Sequence, residues 1–190
     1  MPSLEDLLAD LSSGDDLRAE AACDALVELG DVSIQPLRSL LDSQKADARW
    51  WATRTLASLP NLDPDLLLVP LEDPAPEVRQ CAALGLVSHP TEAAIRPLVR
   101  ALSDADSLTA DLSARALIAI GAPAVESLLQ VLKQAQPAAR IHAMHTLAEI
   151  GDPRSIRDMI NALSEDSVML HYWADRGLER LGVNMVYVKP

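Results

Sequence analysis

The sequence predicts an all-α fold, a solenoid of six consecutive helix pairs, and three observations carry that prediction. Helical segments stop at Gly30, Pro60, Pro90, Gly121, Gly151 and Gly182, so the interval stays at 30 or 31 residues throughout. Leu26, Leu56, Leu86, Leu117, Leu147 and Leu178 fall in one column, each four residues before its stop. Apolar residues make up 49% of the 190-residue chain, yet aromatics supply only 3% and Phe is absent, so the interior must be Leu, Ala, Val and Ile. Such a diet suits closely packed helices. An internal period of this length marks a stacked array, in which each unit leaves an apolar side bare until its neighbour covers it.

The units run over about residues 1–30, 31–60, 61–90, 91–121, 122–151 and 152–182, with a tail at 183–190, and are expected to form a single body. The first helix of each unit from the second onward reads IQPLRSLL, LLLVPL, IRPLVRAL, VESLLQVL and IRDMINAL. Pro36, Pro70 and Pro97 lie inside these short segments and should kink or interrupt them. The second helix follows a pattern of the kind VRxxAxxALxxIG, clearest in ARWWATRTLASLP, VRQCAALGLVSHP and ARIHAMHTLAEIG. Small residues at one turn let this helix approach its neighbours, and Leu or Ile at the next fills the groove between repeats. Gly at a stop offers a left-handed cap. Pro64, Pro70, Pro74 and Pro76 make the third unit irregular, and DADSLTADL at 104–112 predicts a longer inter-helix loop in the fourth. The tail NMVYVKP is too short for another repeat, and either caps the last one or stays loose.

A net charge of −12 and a pI near 4.6 speak against general affinity for nucleic acid or anionic membrane. Cys23 and Cys81 stand apart, without metal-ligand spacing, and fit a reducing compartment. The acidic start MPSLEDLLADL is unlike a signal peptide, and no apolar run of about 20 residues could span a bilayer, so the expected location is cytoplasmic. No P-loop, GxSxG or paired catalytic carboxylate is present, so no catalytic residue is assigned.

DPAPEVRQCAALGL places Asp73 six residues before Arg79, a spacing that resembles the HEAT repeat, in which Asp and Arg of consecutive repeats form a ladder. GDPRSIRDMINAL and GAPAVESLLQVL resemble the phrase typical of the HEAT-like branch found in phycobilisome lyases. That branch contains bilin lyase subunits, a chaperone-like factor for phycoerythrin, and phycobilisome degradation factors. The start MPSLEDLLADL and the ending DSVMLHYWADRGLERLGVNMVYVKP are similar to the small phycoerythrin-type lyase or chaperone. The resemblance implies that the second helices line a concave face which grips a phycobiliprotein subunit, with or without its linear tetrapyrrole (bilin), or pairs with a second HEAT-repeat lyase subunit. The mechanism it implies is positional: the substrate's own Cys is the nucleophile, and the scaffold orients bilin and thiol.

Numbering each second helix from the Arg of its pattern (Ala19, Arg49, Arg79, Ala110, Arg140, His171), offsets 3, 7 and 10 point at the core, offsets 1, 5 and 8 point away, and offsets 2 and 9 flank the outward side. Offset 1 carries Glu20, Trp50, Gln80, Asp111, Ile141 and Tyr172; offset 2 carries Ala21, Trp51, Cys81, Leu112, His142 and Trp173. Offset 5 carries Asp24, Arg54, Leu84, Arg115, His145 and Arg176, a mostly cationic column in an acidic chain. Trp and Arg dominate interface hot spots, and Arg with aromatics suits a planar carboxylate-bearing ligand. The candidate binding residues are therefore Trp50, Trp51, Arg54, Arg115, His142, His145, Tyr172, Trp173 and Arg176, with Arg or His meeting bilin propionates.

Other readings compete. Trp50 or Trp51 could fill an inter-repeat groove, and the arginines could be solvated ion pairs of little worth. His142 and His145 could form half a metal site, but no third ligand lies in phase beyond distant Glu149 or His171, and no metal is predicted. Cys81 could be reactive or inert. A protein-interaction scaffold with no pigment has the same pattern. The di-iron hydroxylases of this fold need His-Glu dipeptides, which are absent, and a HEAT-like DNA glycosylase fits the acidity poorly.

Overall fold

The computed structural model describes residues 2–183 and contains, among them, helices and turns without strands. The helices are α1 (Leu4–Leu11), α2 (Asp16–Leu29), α3 (Ile34–Leu40), α4 (Ala46–Ala57), α5 (Pro76–Ser88), α6 (Ile95–Ala101), α7 (Ser107–Ile120), α8 (Val125–Gln134), α9 (Pro137–Ile150), α10 (Ile156–Ala162) and α11 (Val168–Arg180). The chain is an α-solenoid of six helix pairs, the first helix of the third pair being replaced by two 3₁₀ turns, Pro64–Leu67 and Pro70–Glu72. The proline density read in the sequence is the cause, because Pro at the start of a 3₁₀ turn forgoes no hydrogen bond there but cannot sit inside an α-helix without losing one. No single helix among the described residues is long and apolar enough to cross a membrane. The tail NMVYVKP lies outside the described residues.

The helices divide into two compact units, one ending at Ala94 and one starting at Ile95. In the first, α2 packs on α4 and α4 on α5; in the second, α7 packs on α9 and α9 on α11. The Leu column forms the centre of each, all six side chains being at most 1% exposed. A second column, Leu37, Leu67, Leu98, Leu128 and Met159 of the first helices, is fully buried against it. Each such side chain contributes about 1.5–3 kcal/mol on leaving water.

Three expectations need correction. Pro36 and Pro97 neither kink nor interrupt a helix: each is the third residue of its helix, just after a 3₁₀ turn, where the backbone N–H needs no helical partner. The fourth inter-helix loop is not longer, because Asp106 caps α7 by accepting from the Thr109 N–H at 2.8 Å, and segment 102–106 matches 41–45 and 163–167. The glycine stops do have positive φ, and Gly151 (φ 67°, ψ 36°) is a left-handed cap, yet Gly30 (φ 60°, ψ −133°) and Gly121 (φ 77°, ψ −136°) adopt a region essentially reserved for glycine.

Candidate partner-binding site

The Arg of the second-helix pattern serves the joints between repeats. Arg49 Nε donates to Asp73 Oδ2 at 2.6 Å and Nη2 to Oδ1 at 2.8 Å, while Nη1 donates to the Ser43 carbonyl at 2.8 Å. Burial alone would raise the Asp73 carboxyl, but the Arg49 hydrogen bonds and the Ala75 N–H hold it below the usual range. Arg140 plays the same part in the second unit, bonding the Leu132 carbonyl and Glu165, both at 2.7 Å. These arginines are joints between consecutive repeats.

On the first unit the structure brings Trp50, Trp51 and Arg54 together. The two indoles meet edge to face at 4.8 Å, and the Arg54 guanidinium lies 4.9 Å from the Trp51 ring and 5.5 Å from that of Trp50. Arg54 Nη2 also donates to Glu20 Oε1 of α2 at 3.1 Å. Trp51 is only 3% exposed, so it is not part of an accessible face. The reason is that offset 2 lies one turn before offset 6, the flank where each second helix meets the preceding one: a Cβ on Gly85 (offset 6 of α5) would meet Ala57 of α4 at 2.8 Å. Trp50 stays half-exposed and walls a hollow of about 460 Å³ lined by Ala46, Asp47, Trp50, Glu77 and Gln80.

On the second unit His145, Tyr172 and Trp173 form a cluster. The His145 and Trp173 rings stack at 4.1 Å with planes 31° apart, and Tyr172 meets Trp173 edge-on at 5.0 Å. Burial against this stack lowers the His145 pKa, with Glu149 opposing, so the ring is neutral at neutral pH. His142 Nδ1 lies 3.5 Å from Asp111 Oδ1. Arg115 and Arg176 are exposed and engage no carboxylate or ring among the described residues. The cationic column therefore shrinks: Arg54 is neutralised by Glu20, His145 is uncharged, and Arg115 and Arg176 keep free charge.

Neither cysteine sits where a thiolate is favoured. Burial pushes the Cys81 thiol up to about 12 and raises Cys23 as well. Sequence reasoning missed Asp47 and Glu77, although both stand at offset −2, the position three residues before Trp50 and Gln80 on α4 and α5; reading that column would have found them.

The fold has counterparts among solved proteins. The chain is similar to a subunit in the complex of CpcE and CpcF of phycocyanin lyase from Nostoc sp. PCC7120, at 26% identity and TM-score 0.58, over 75% of this chain and 96% of that one. It is also similar to a designed armadillo repeat protein solved with the peptide (KR)4, at 18% identity and TM-score 0.54 over 95% of this chain, and to an engineered protein at 21% identity and TM-score 0.55 over 96%. No protein-family model and no curated protein matches the chain.

Proposed function

We propose that this protein is a protein-binding repeat scaffold that holds a phycobiliprotein subunit, and the bilin being joined to it, against its second-helix row. The likeness to the phycocyanin lyase complex carries this reading, because it covers nearly all of that neighbour and joins the GDPRSIRDMINAL phrase. The residues fit a positional role. Exposed Tyr172 and half-buried Trp173 give hot-spot area; Arg115 and Arg176 offer guanidinium forks to propionates or to acidic side chains of the held protein. Burial disfavours the thiolate at both of this chain's own cysteines, so the thioether would form from the thiol of the held subunit. Its contribution is orientation, worth several kcal/mol of barrier when reacting atoms are held in place.

The test is co-expression with phycobiliprotein α and β subunits, with phycocyanobilin or phycoerythrobilin supplied, followed by affinity purification and visible spectra. A co-eluting subunit, lost with Trp173→Ala and Arg176→Ala together, supports the reading. Retention of neither apo-subunit nor pigment sinks it. The designed neighbour solved with a peptide favours a second reading, a scaffold for a partner without pigment. Recovery from native lysate of one stoichiometric partner that absorbs no visible light would select that alternative.

A further inference from the structure

The charge of the chain is divided unevenly. Of its 28 acidic residues 17 lie before Ile95, against six of its 16 basic residues, which leaves the first unit at net −11 and the remainder at −1. Within the first unit, the hollow on the α4–α5 face has an indole wall from Trp50 and two carboxylates, Asp47 and Glu77, on its rim. Both acids are exposed, and neither has an ion-pair partner among the described residues. Arg54, which shares the Trp50 ring, is already paired with Glu20.

We infer that this hollow is a docking site for a lysine or arginine side chain on a basic segment of the partner protein. A volume of about 460 Å³ accommodates such a side chain and its neighbours. Its aliphatic stem lies against Ala46 and the Trp50 ring, and its cationic head meets the Asp47 and Glu77 carboxylates. The site repeats along the array: Asp47 with Trp50 on α4 is matched at the same offsets by Glu77 with Gln80 on α5. A basic residue can thus bridge two consecutive second helices. The surrounding field of the acidic unit attracts the segment and raises its rate of encounter.

This inference rests on the reading that the second helices hold a protein, and it names the chemistry that part of that protein must present. The probe is a fluorescein-labelled octapeptide of alternating Lys and Ser, with a Glu-Ser counterpart, titrated by anisotropy into the full chain at 50 and 300 mM salt. Binding of the Lys peptide alone is expected, weakening with salt. It should fall about tenfold or more in Asp47→Asn with Glu77→Gln, and in Trp50→Ala. Glu28→Gln with Asp31→Asn removes the same charge from exposed positions elsewhere in the unit, and should change affinity by less than about twofold. Equal losses in the two charge-matched variants would show attraction to net charge only and overturn the site, as would equal binding of the Glu peptide. Circular dichroism of each variant secures the folded state. A phycobiliprotein that is retained equally by wild type and the Asp47, Glu77 pair variant would overturn this inference while leaving the proposed function standing.

Discussion

Gly177→Ala tests how the repeats that carry the aromatic cluster are joined. Gly177 lies in the last turn of α11, where Ala would ordinarily stabilise a helix by about 0.5–1 kcal/mol. Against that gain stands a close approach: a Cβ at this position would sit 2.6 Å from Met159 Cε, 2.8 Å from its Sδ and 3.1 Å from Ala148 Cα. The Met end can swing, but Met159 is fully buried and the Ala148 contact is to backbone, so α11 must shift away from α9. Overpacking of this kind costs about 1–3 kcal/mol, which less the propensity gain leaves a net loss of about 0–2.5 kcal/mol. Urea denaturation followed by circular dichroism at 222 nm should show the midpoint fall with an unchanged slope. Met159→Ala makes room for the new methyl, so the double variant should lose less than the sum of the singles, with a coupling of at least about 0.5 kcal/mol. A stabilised Gly177→Ala protein, or singles that simply add, would refute the close approach. The outcome bears on the proposed function because Trp173 and Arg176 ride on the helix that would move.

Arg49→Met should cost about 3 kcal/mol by stranding the largely buried Asp73 carboxylate, measured by the same denaturation. Because the folded-state pKa of Asp73 is depressed, the stability from this pair is present above the ordinary carboxylate value and is lost as pH falls through the folded one; the acid limb should flatten in the variant. Trp51→Ala should cost about 3–5 kcal/mol of stability, whereas Trp173→Ala should weaken partner binding by about 2 kcal/mol, near thirtyfold, for a smaller stability loss. The reverse pattern would mean that the exposed and buried indoles have been exchanged. His145, whose folded pKa is lowered by burial, should destabilise the protein as pH falls below the ordinary 6.5, since the unfolded chain then takes up the proton first; His145→Gln should remove that slope from a pH series of melting curves. Iodoacetamide at pH 8 should leave Cys81 unmodified in the folded protein and alkylate it in urea, as read by mass spectrometry.

The repeat was legible because its signal is redundant: six stops and six buried leucines point to one interval, and an error at Pro60 or Pro90 leaves the rest intact. The face was legible only in part. A helical wheel separates core from outside, but it does not say which flank the preceding repeat covers, and Trp51 fell on that flank. Nor does it reveal pairing across repeats: Glu20 stands 34 residues from Arg54, and their 3.1 Å contact depends on how far α2 and α4 are offset along their axes. Pro36 and Pro97 were misjudged because a 3₁₀ turn ahead of the helix moves them into its first turn, where proline is tolerated. Small residues were visible, but their purpose was not. Gly85 and Gly177 share the offset just before the Leu column, and only the packing of α5 on α4 and of α11 against α9 and α10 shows that nothing larger fits.

The cationic column that drew attention in the sequence becomes, in the structure, two faces of different character. Glu20 cancels Arg54, and what remains exposed on the first unit is acid around an indole. On the second unit Arg115 and Arg176 keep their charge beside stacked rings, within a unit close to neutral. A partner engaging both must therefore be polar along its own surface, basic where it meets the first unit and acidic or aromatic where it meets the second. Salt acts on these contacts unequally. Exposed charge pairs are screened within a Debye length of about 8–10 Å, while ring contacts around Trp173 are not. Raising ionic strength should thus slow association far more than it hastens dissociation, the signature of a partner steered by the acidic unit and retained by the aromatic one.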